Sequence, residues 1–129
     1  MENIRIENTT KSPLIVMKDG YIGMKGRSIP QNSKQLYKPC FEWVADYIRN
    51  PAPLTKVEIF FEYVDTSSIR CVVDVLSMLE SNPKGGKIEV IWYYEQFDDD
   101  LRELGTYIQI FIKVPFKYVM VAEDQEIDM

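Results

Sequence analysis

No histidine occurs anywhere in the 129 residues. That removes the commonest general base and the commonest zinc ligand. It also excludes Ser-His-Asp and Cys-His catalysis, so only carboxylate or lysine chemistry remains open to an enzyme. Cysteine is scarce too. Cys40 and Cys71 both stand in apolar patterns of helical spacing, where a free thiol serves as a small core hydrophobe. No apolar run approaches the ~20 residues that a membrane helix needs. The first residues, MENIRIENTT, lack the basic-then-apolar pattern of a secretory signal. A cytoplasmic protein that does not engage a membrane is expected. Positive charge is also short, with 15 Lys and Arg against 20 Asp and Glu, for a net charge of −5. That balance argues against nucleic acid or an anionic lipid surface as partner. Nothing in the sequence requires a cofactor or a metal.

What is present suits one α/β domain. Hydrophobic residues make up 46% of the chain, enough for a core without disulfides. NIRIE (3–7) alternates and predicts a short strand. PLIVMKDGYIGMKGR (13–27) reads as a β-hairpin, with Asp19-Gly20 supplying positive-φ residues at the turn. Between Ser33 and Ile48 the period becomes helical: Leu36, Tyr37, Cys40, Phe41, Val44 and Ile48 share a face. Pro39 either opens the main helix or kinks a longer one. NPAP (50–53) ends it. KVEIFFEYV (56–64) predicts a buried central strand, and SSIRCVVDVLSMLES (67–81) a second helix. NPKGG (82–86) breaks the chain before a strand at KIEVIWYY (87–94). A third helix is predicted over 97–112, with Leu101, Leu104, Ile108 and Phe111 inward and Gly105 a weak interior point. FKYVMV (116–121) is the last strand. The expected fold is therefore a single-domain mixed sheet over 1–121, with an N-terminal β-hairpin, parallel core strands and about three helices, mostly on one face. Residues 122–129 read as a polar, fraying tail.

Three stretches carry candidate chemistry. In YVDTSSIRCVV (63–73), a strand hands over to a helix at its carboxyl end, where open α/β sheets place function. Asp65 or Thr66 would cap the helix. A cap explains one residue and leaves neighbouring hydroxyls free. A phosphate on Thr66 or Ser67 would meet the positive end of the helix and add nearly two negative charges. In YYEQFDDD (93–100), Glu95 and Asp98 to Asp100 form either a dipole-stabilised helix start, a partner contact or a divalent-cation site without calcium-loop spacing. In GRSIPQNSKQLYKPCFEWV (26–44), Arg27, Lys34 and Lys38 form either a basic spot or a solvated loop. Trp43 and Trp92 fall in apolar patterns and read as core.

Taken in order, three blocks resemble the SiaC family of bacterial regulatory phosphoproteins, from about residue 6 to 121. GRSIPQNSKQLYKPCFEWVADYI is similar to that family's Gly-x-Ser-x-Pro-Glu-Asn stretch and the Tyr-x-Pro helix after it. FFEYVDTSSIRCVVDVLSMLE is similar to its Tyr-x-Asn-Thr-Ser-Ser block, and GGKIEVIWYYEQFDDDLRELG to its Trp-x-Tyr strand and acidic helix start. The resemblance implies a non-enzymatic switch. Thr66 would be phosphorylated by a serine/threonine kinase of the anti-sigma-factor type and restored by a metal-dependent serine/threonine phosphatase. The unmodified protein would bind and activate a diguanylate cyclase, raising cyclic di-GMP. A looser resemblance to anti-sigma factor antagonist domains points to Ser67 as the second choice, and to another target. Partner contacts are expected at Asp65, Ser67, Ser68 and Arg70, at Gln31 and Asn32, and at Asp98 and Asp99. Two positions depart from the family pattern. Asp65 stands where Asn is usual, and Gln31 where Glu is usual.

Overall fold

A computed structural model describes residues 2–82 and 84–129. Its elements run β1 (Ile4–Ile6), β2 (Leu14–Lys18), β3 (Tyr21–Ser28), α1 (Ser33–Tyr47), β4 (Leu54–Val64), α2 (Thr66–Glu80), β5 (Lys87–Glu95), α3 (Asp99–Gln109) and β6 (Phe116–Val121). The six strands lie in sequence order across one sheet. β1, β2 and β3 pair antiparallel; β3, β4, β5 and β6 pair parallel. Each parallel step carries a helix, and every step moves the same way across the sheet. Right-handed crossovers then put all three helices on one face. The expected mixed sheet with a parallel core is what forms.

The core lies between that face and the helices. Ile15, Met17, Ile22, Met24, Val57, Ile59, Phe61, Val90 and Trp92 supply the sheet side. Tyr37, Cys40, Val44, Val72, Leu76 and Ile108 supply the helix side. Both thiols are free and buried, and burial pushes the Cys40 thiol up to about 12. Tyr47, which the helical pattern did not single out, is fully buried, and its hydroxyl shares a hydrogen with Thr55 at 2.6 Å. It also accepts from the N–H groups of Gly20 and Ala52, fastening α1 to the hairpin turn and to the entry of β4. Trp43 is buried and stacks on Tyr47.

Several local expectations change. At the hairpin turn only Gly20 takes a positive φ (+78°), not Asp19 as well. Pro39 sits inside one continuous helix, so α1 neither splits nor starts there. Asn32 caps it, accepting from Gln35 N–H at 3.2 Å. Of the break at 82–86, Pro83 lies outside the described residues, and Gly85 supplies a φ of +80°. α3 stops at Gln109, so Phe111 falls beyond the helix and is exposed rather than inward. The tail, expected to fray, lies back over the helix-free face of the sheet, where Lys25 Nζ donates to the Ile127 carbonyl at 2.7 Å.

Gly105 lets α3 lie close against the sheet. A Cβ there would stand 2.8 Å from both Cδ1 and Nε1 of Trp92 and 2.9 Å from Cε1 of Tyr118. The indole cannot simply step aside, because its Nε1–H donates to the Leu101 carbonyl at 2.9 Å. Alanine would favour the helix by about 1 kcal/mol, but overpacking costs about 1–3 kcal/mol, and the clash wins. We therefore expect Gly105→Ala to lower stability by about 1–2 kcal/mol in urea unfolding followed by tryptophan fluorescence. A stabilised variant would show that the helix and the ring can separate without loss.

Candidate functional site

β4 ends at Val64 on the carboxyl edge of the parallel strands, and α2 begins two residues later. Asp65 is extended (φ −87°, ψ 169°) and caps α2, its Oδ1 accepting from the Ser68 N–H at 2.8 Å. Such a cap is worth about 1 kcal/mol. The same oxygen accepts from the Ser67 hydroxyl at 3.0 Å. Ser67 is therefore not free, as the pattern had suggested. Thr66 is exposed, and among the described residues nothing hydrogen-bonds its hydroxyl.

Ser68 has a third fate. It is fully buried, so it cannot meet a partner directly, contrary to expectation. Its Oγ accepts from Ser28 Oγ at 2.7 Å, and Ser28 lies 2.7 Å from the Tyr37 hydroxyl. Ser28 spends its only hydrogen on Ser68, so Tyr37 must donate to Ser28. This chain joins α1, β3 and α2 directly beneath the corner. A backbone bond runs parallel to it, from Asp65 N–H to the Ser28 carbonyl at 2.9 Å. Burial raises the Tyr37 phenol well above its usual range, so it stays a donor.

Two grooves flank the first turns of α2 and share Arg70. One, of about 460 Å³, lies between α2 and α3 and is lined by Thr66, Ile69, Arg70, Val73, Tyr107 and Phe111. Tyr107, Ile110 and Phe111 are all more than half exposed, which is unusual for large apolar side chains. The other, of about 430 Å³, lies between α1 and α2 and gathers Lys34, Lys38, Ser67, Arg70 and Cys71. Lys34 and Lys38 thus share a groove with Arg70 and with its partner Asp74, while Arg27 does not join them. It pairs with Glu62 at 3.3 Å and lies over the Tyr63 ring.

The remaining expected contacts lie elsewhere. Gln31 and Asn32 are exposed, and Asn32 is occupied as the α1 cap. Asp98 caps α3 through the Leu101 N–H at 3.1 Å, and Asp99 lies exposed in its first turn. Neither lines the groove beside Thr66. Among the described residues no group of three or more carboxylates or thiols is placed to hold a metal ion, and no helix is long and apolar enough to cross a membrane. Reasoning from sequence missed the partnership of Ser28, Tyr37 and Ser68. It also missed Phe97, which precedes the α3 cap at a φ of 74° and is 83% exposed. A bulky side chain in that region is a genuine outlier.

The geometry has counterparts among known proteins. The chain is 27% identical over 119 residues to an uncharacterised protein of Pseudomonas aeruginosa strain UCBPP-PA14, covering 90% of this chain and 94% of that one. The crystal structure of apo-SiaC from Pseudomonas aeruginosa superposes with a TM-score of 0.80 at 25% identity, covering 92% of this chain and 99% of that one. The SiaC structure in complex with diguanylate cyclase SiaD, described there as its activator, gives a TM-score of 0.82 at 27% identity over the same shares. The model of the SiaC family regulatory phosphoproteins matches residues 6–121, nearly the whole chain, and the protein belongs to that family.

Proposed function

We propose that this chain is a non-enzymatic signalling switch written on Thr66. A partner kinase of the anti-sigma-factor type phosphorylates that hydroxyl and a metal-dependent serine/threonine phosphatase removes the phosphate. When unmodified, the chain binds and activates a diguanylate cyclase. The observation that carries this reading is the separation of three adjacent hydroxyls: Ser67 is bound to the cap, Ser68 is buried, and Thr66 alone is exposed and unbonded. A kinase must reach a free hydroxyl, and this favours Thr66 over Ser67. The solved complex of a SiaC with diguanylate cyclase SiaD supports the cyclase as the class of partner.

The grooves supply a physical route from mark to partner. Thr66 stands at the end of an apolar trough with exposed Tyr107 and Phe111 along it. A partner side chain entering that trough would have to strip water from a phosphate of nearly two charges, which is costly. The switch therefore works by local charge, without unfolding α2. Phe97 sits on the same carboxyl edge of the sheet, held exposed in a strained backbone, as sites kept for binding often are.

Mass spectrometry after co-expression with such a kinase should find phosphate on Thr66 alone; phosphate confined to Ser67, or none on 66–68, would sink the assignment. Thr66→Ala should keep cyclase binding, and Thr66→Glu should weaken it roughly tenfold or more, equivalent to ~1.4 kcal/mol. Equal affinity in calorimetry would count against a charge mechanism. Asp65→Asn keeps a competent cap, so stability should move by less than about 0.5 kcal/mol. Loss of the neighbouring carboxylate should raise the phosphorylated fraction at matched kinase exposure. Phe97→Gly should gain about 1 kcal/mol of stability by relieving φ strain, yet bind the cyclase less tightly. Improved stability with undiminished binding would remove Phe97 from the contact surface.

A further inference from the structure

The helix-free face of the sheet is not bare. Tyr21, Gly23 and Lys25 of β3, Glu58 and Phe60 of β4, and Tyr93 of β5 lie across it. Glu58 is buried, and its two carboxylate oxygens accept from the phenols of Tyr21 and Tyr93. Phe60 packs on the Tyr93 ring at 6.1 Å. This gives a flat aromatic belt whose polar atoms are already satisfied, which is a surface suited to covering.

The chain's own end covers it. After β6 the backbone turns between Ala122 and Gln125 and then runs back across the strands. Ile127 and Met129 are half-buried, whereas Glu126 and Asp128 are exposed, so alternate side chains point to the sheet. Lys25 Nζ holds the Ile127 carbonyl at 2.7 Å, and an Arg5 guanidinium nitrogen donates to a Met129 main-chain oxygen at 3.3 Å. The missing side chain at Gly23 leaves the notch that seats the Met129 sulfur. A Cβ there would lie 3.2 Å from Sδ and 2.8 Å from the Tyr21 hydroxyl. The fit is incomplete, since a cavity of about 140 Å³ remains beside Lys25, Phe60, Glu62 and Gln125. Two apolar anchors and two contacts from cations to main-chain oxygens hold the segment, with no strand pairing. Ordering eight residues for so few contacts leaves the segment easy to displace. It also lies beyond the residues that the family model matches.

We propose that the helix-free face is a second docking surface, for an extended acidic protein segment with apolar residues at alternate positions, and that residues 122–129 occupy it as an intramolecular competitor. The seated tail displays the recognition rule. Apolar side chains at i and i+2 enter the belt, main-chain oxygens accept from Lys25 and Arg5, and acidic side chains face water. A partner segment of the same chemistry binds when the tail lifts. The proposal stands apart from the Thr66 reading, because it uses the opposite face and none of the corner residues.

The test uses the full chain and a fluorescently labelled peptide of sequence AEDQEIDM, residues 122–129. One protein is unaltered; a second carries Ile127→Asp and Met129→Asp to release the tail. A third replaces 126–129 by Gly-Ser repeats, in case the first release disturbs folding, and circular dichroism checks each. Fluorescence anisotropy should show the peptide binding the released forms at least tenfold more tightly than the unaltered chain. Adding Lys25→Ala to a released form should weaken that binding severalfold. Binding to none of the forms, or equally to all, would overturn the proposal, as would equal binding of a scrambled peptide.

Discussion

The corner at Thr66 depends on a line of three buried hydroxyls, Tyr37 to Ser28 to Ser68, reaching from α1 through the end of β3 to the first turn of α2. All three residues are fully buried. A buried hydroxyl without a partner costs more than a made bond contributes, so removing one member strands another. The line therefore acts as a single fastening. With the Asp65–Ser28 backbone bond beside it, it fixes where β4 stops and at what angle α2 departs. Every surface feature of the corner follows from that angle: the cap, the free threonine and the two grooves that meet at Arg70.

The same fastening explains why three hydroxyls in a row are not interchangeable. A helix turns about 100° per residue, so consecutive side chains at its start face different surroundings. Ser68 faces inward and is consumed by the core. Ser67 faces back toward the cap and is held by Asp65. Thr66 faces outward beside the α2–α3 trough. The sequence shows a homogeneous polar run, whereas the fold gives each residue a separate environment.

Most of the fold was legible because its signals are periodic. The change from alternation in NIRIE and the hairpin to 3.6-residue spacing after Ser33 marks β1 to β3 and α1, the near-continuous β-branched and aromatic run KVEIFFEYV marks β4, and parallel crossovers follow from the order. The misses have local causes. Phe111 keeps the helical spacing of Leu104 and Ile108, but α3 ends at Gln109, and spacing alone cannot register a helix end without a Gly or Pro stop. Pro39 left two readings because a proline inside a helix and one near its start look alike in sequence. The contact of the tail was invisible in sequence, since only three-dimensional proximity brings Ile127 to Lys25, 102 positions away. At the site, Asp65 and Thr66 were visible as cap and hydroxyl. The Ser28–Tyr37–Ser68 line was not, since no spacing rule links residues on three different elements. Its members nonetheless sit in GRSIP, LYKP and DTSSI, within blocks on which the family resemblance rested.

Asp65 gives this corner its particular electrostatics. As the cap it is favourable, since a carboxylate at a helix N-terminus complements the dipole and satisfies an N–H. A phosphate on Thr66 would compete for that same positive end, one residue away, and would find the Ser68 N–H already taken. A cation offered in exchange is Arg70, one helical turn on and lining the same groove. Its own partner, Asp74, holds it only at 3.6 Å, and its side chain is 81% exposed. An exposed ion pair of that length is worth less than about 1 kcal/mol, so Arg70 can be drawn to a stronger anion without a large loss. A phosphate at Thr66 would then be turned away from the helix end and toward Arg70, between the two grooves. An Asn cap would bond the same N–H without the charge and let the phosphate settle over the helix terminus. With Asp65 in place, a phosphate on Thr66 would be pushed out between the two grooves, so the residue that departs from the family pattern would make such a phosphate more conspicuous and harder to install.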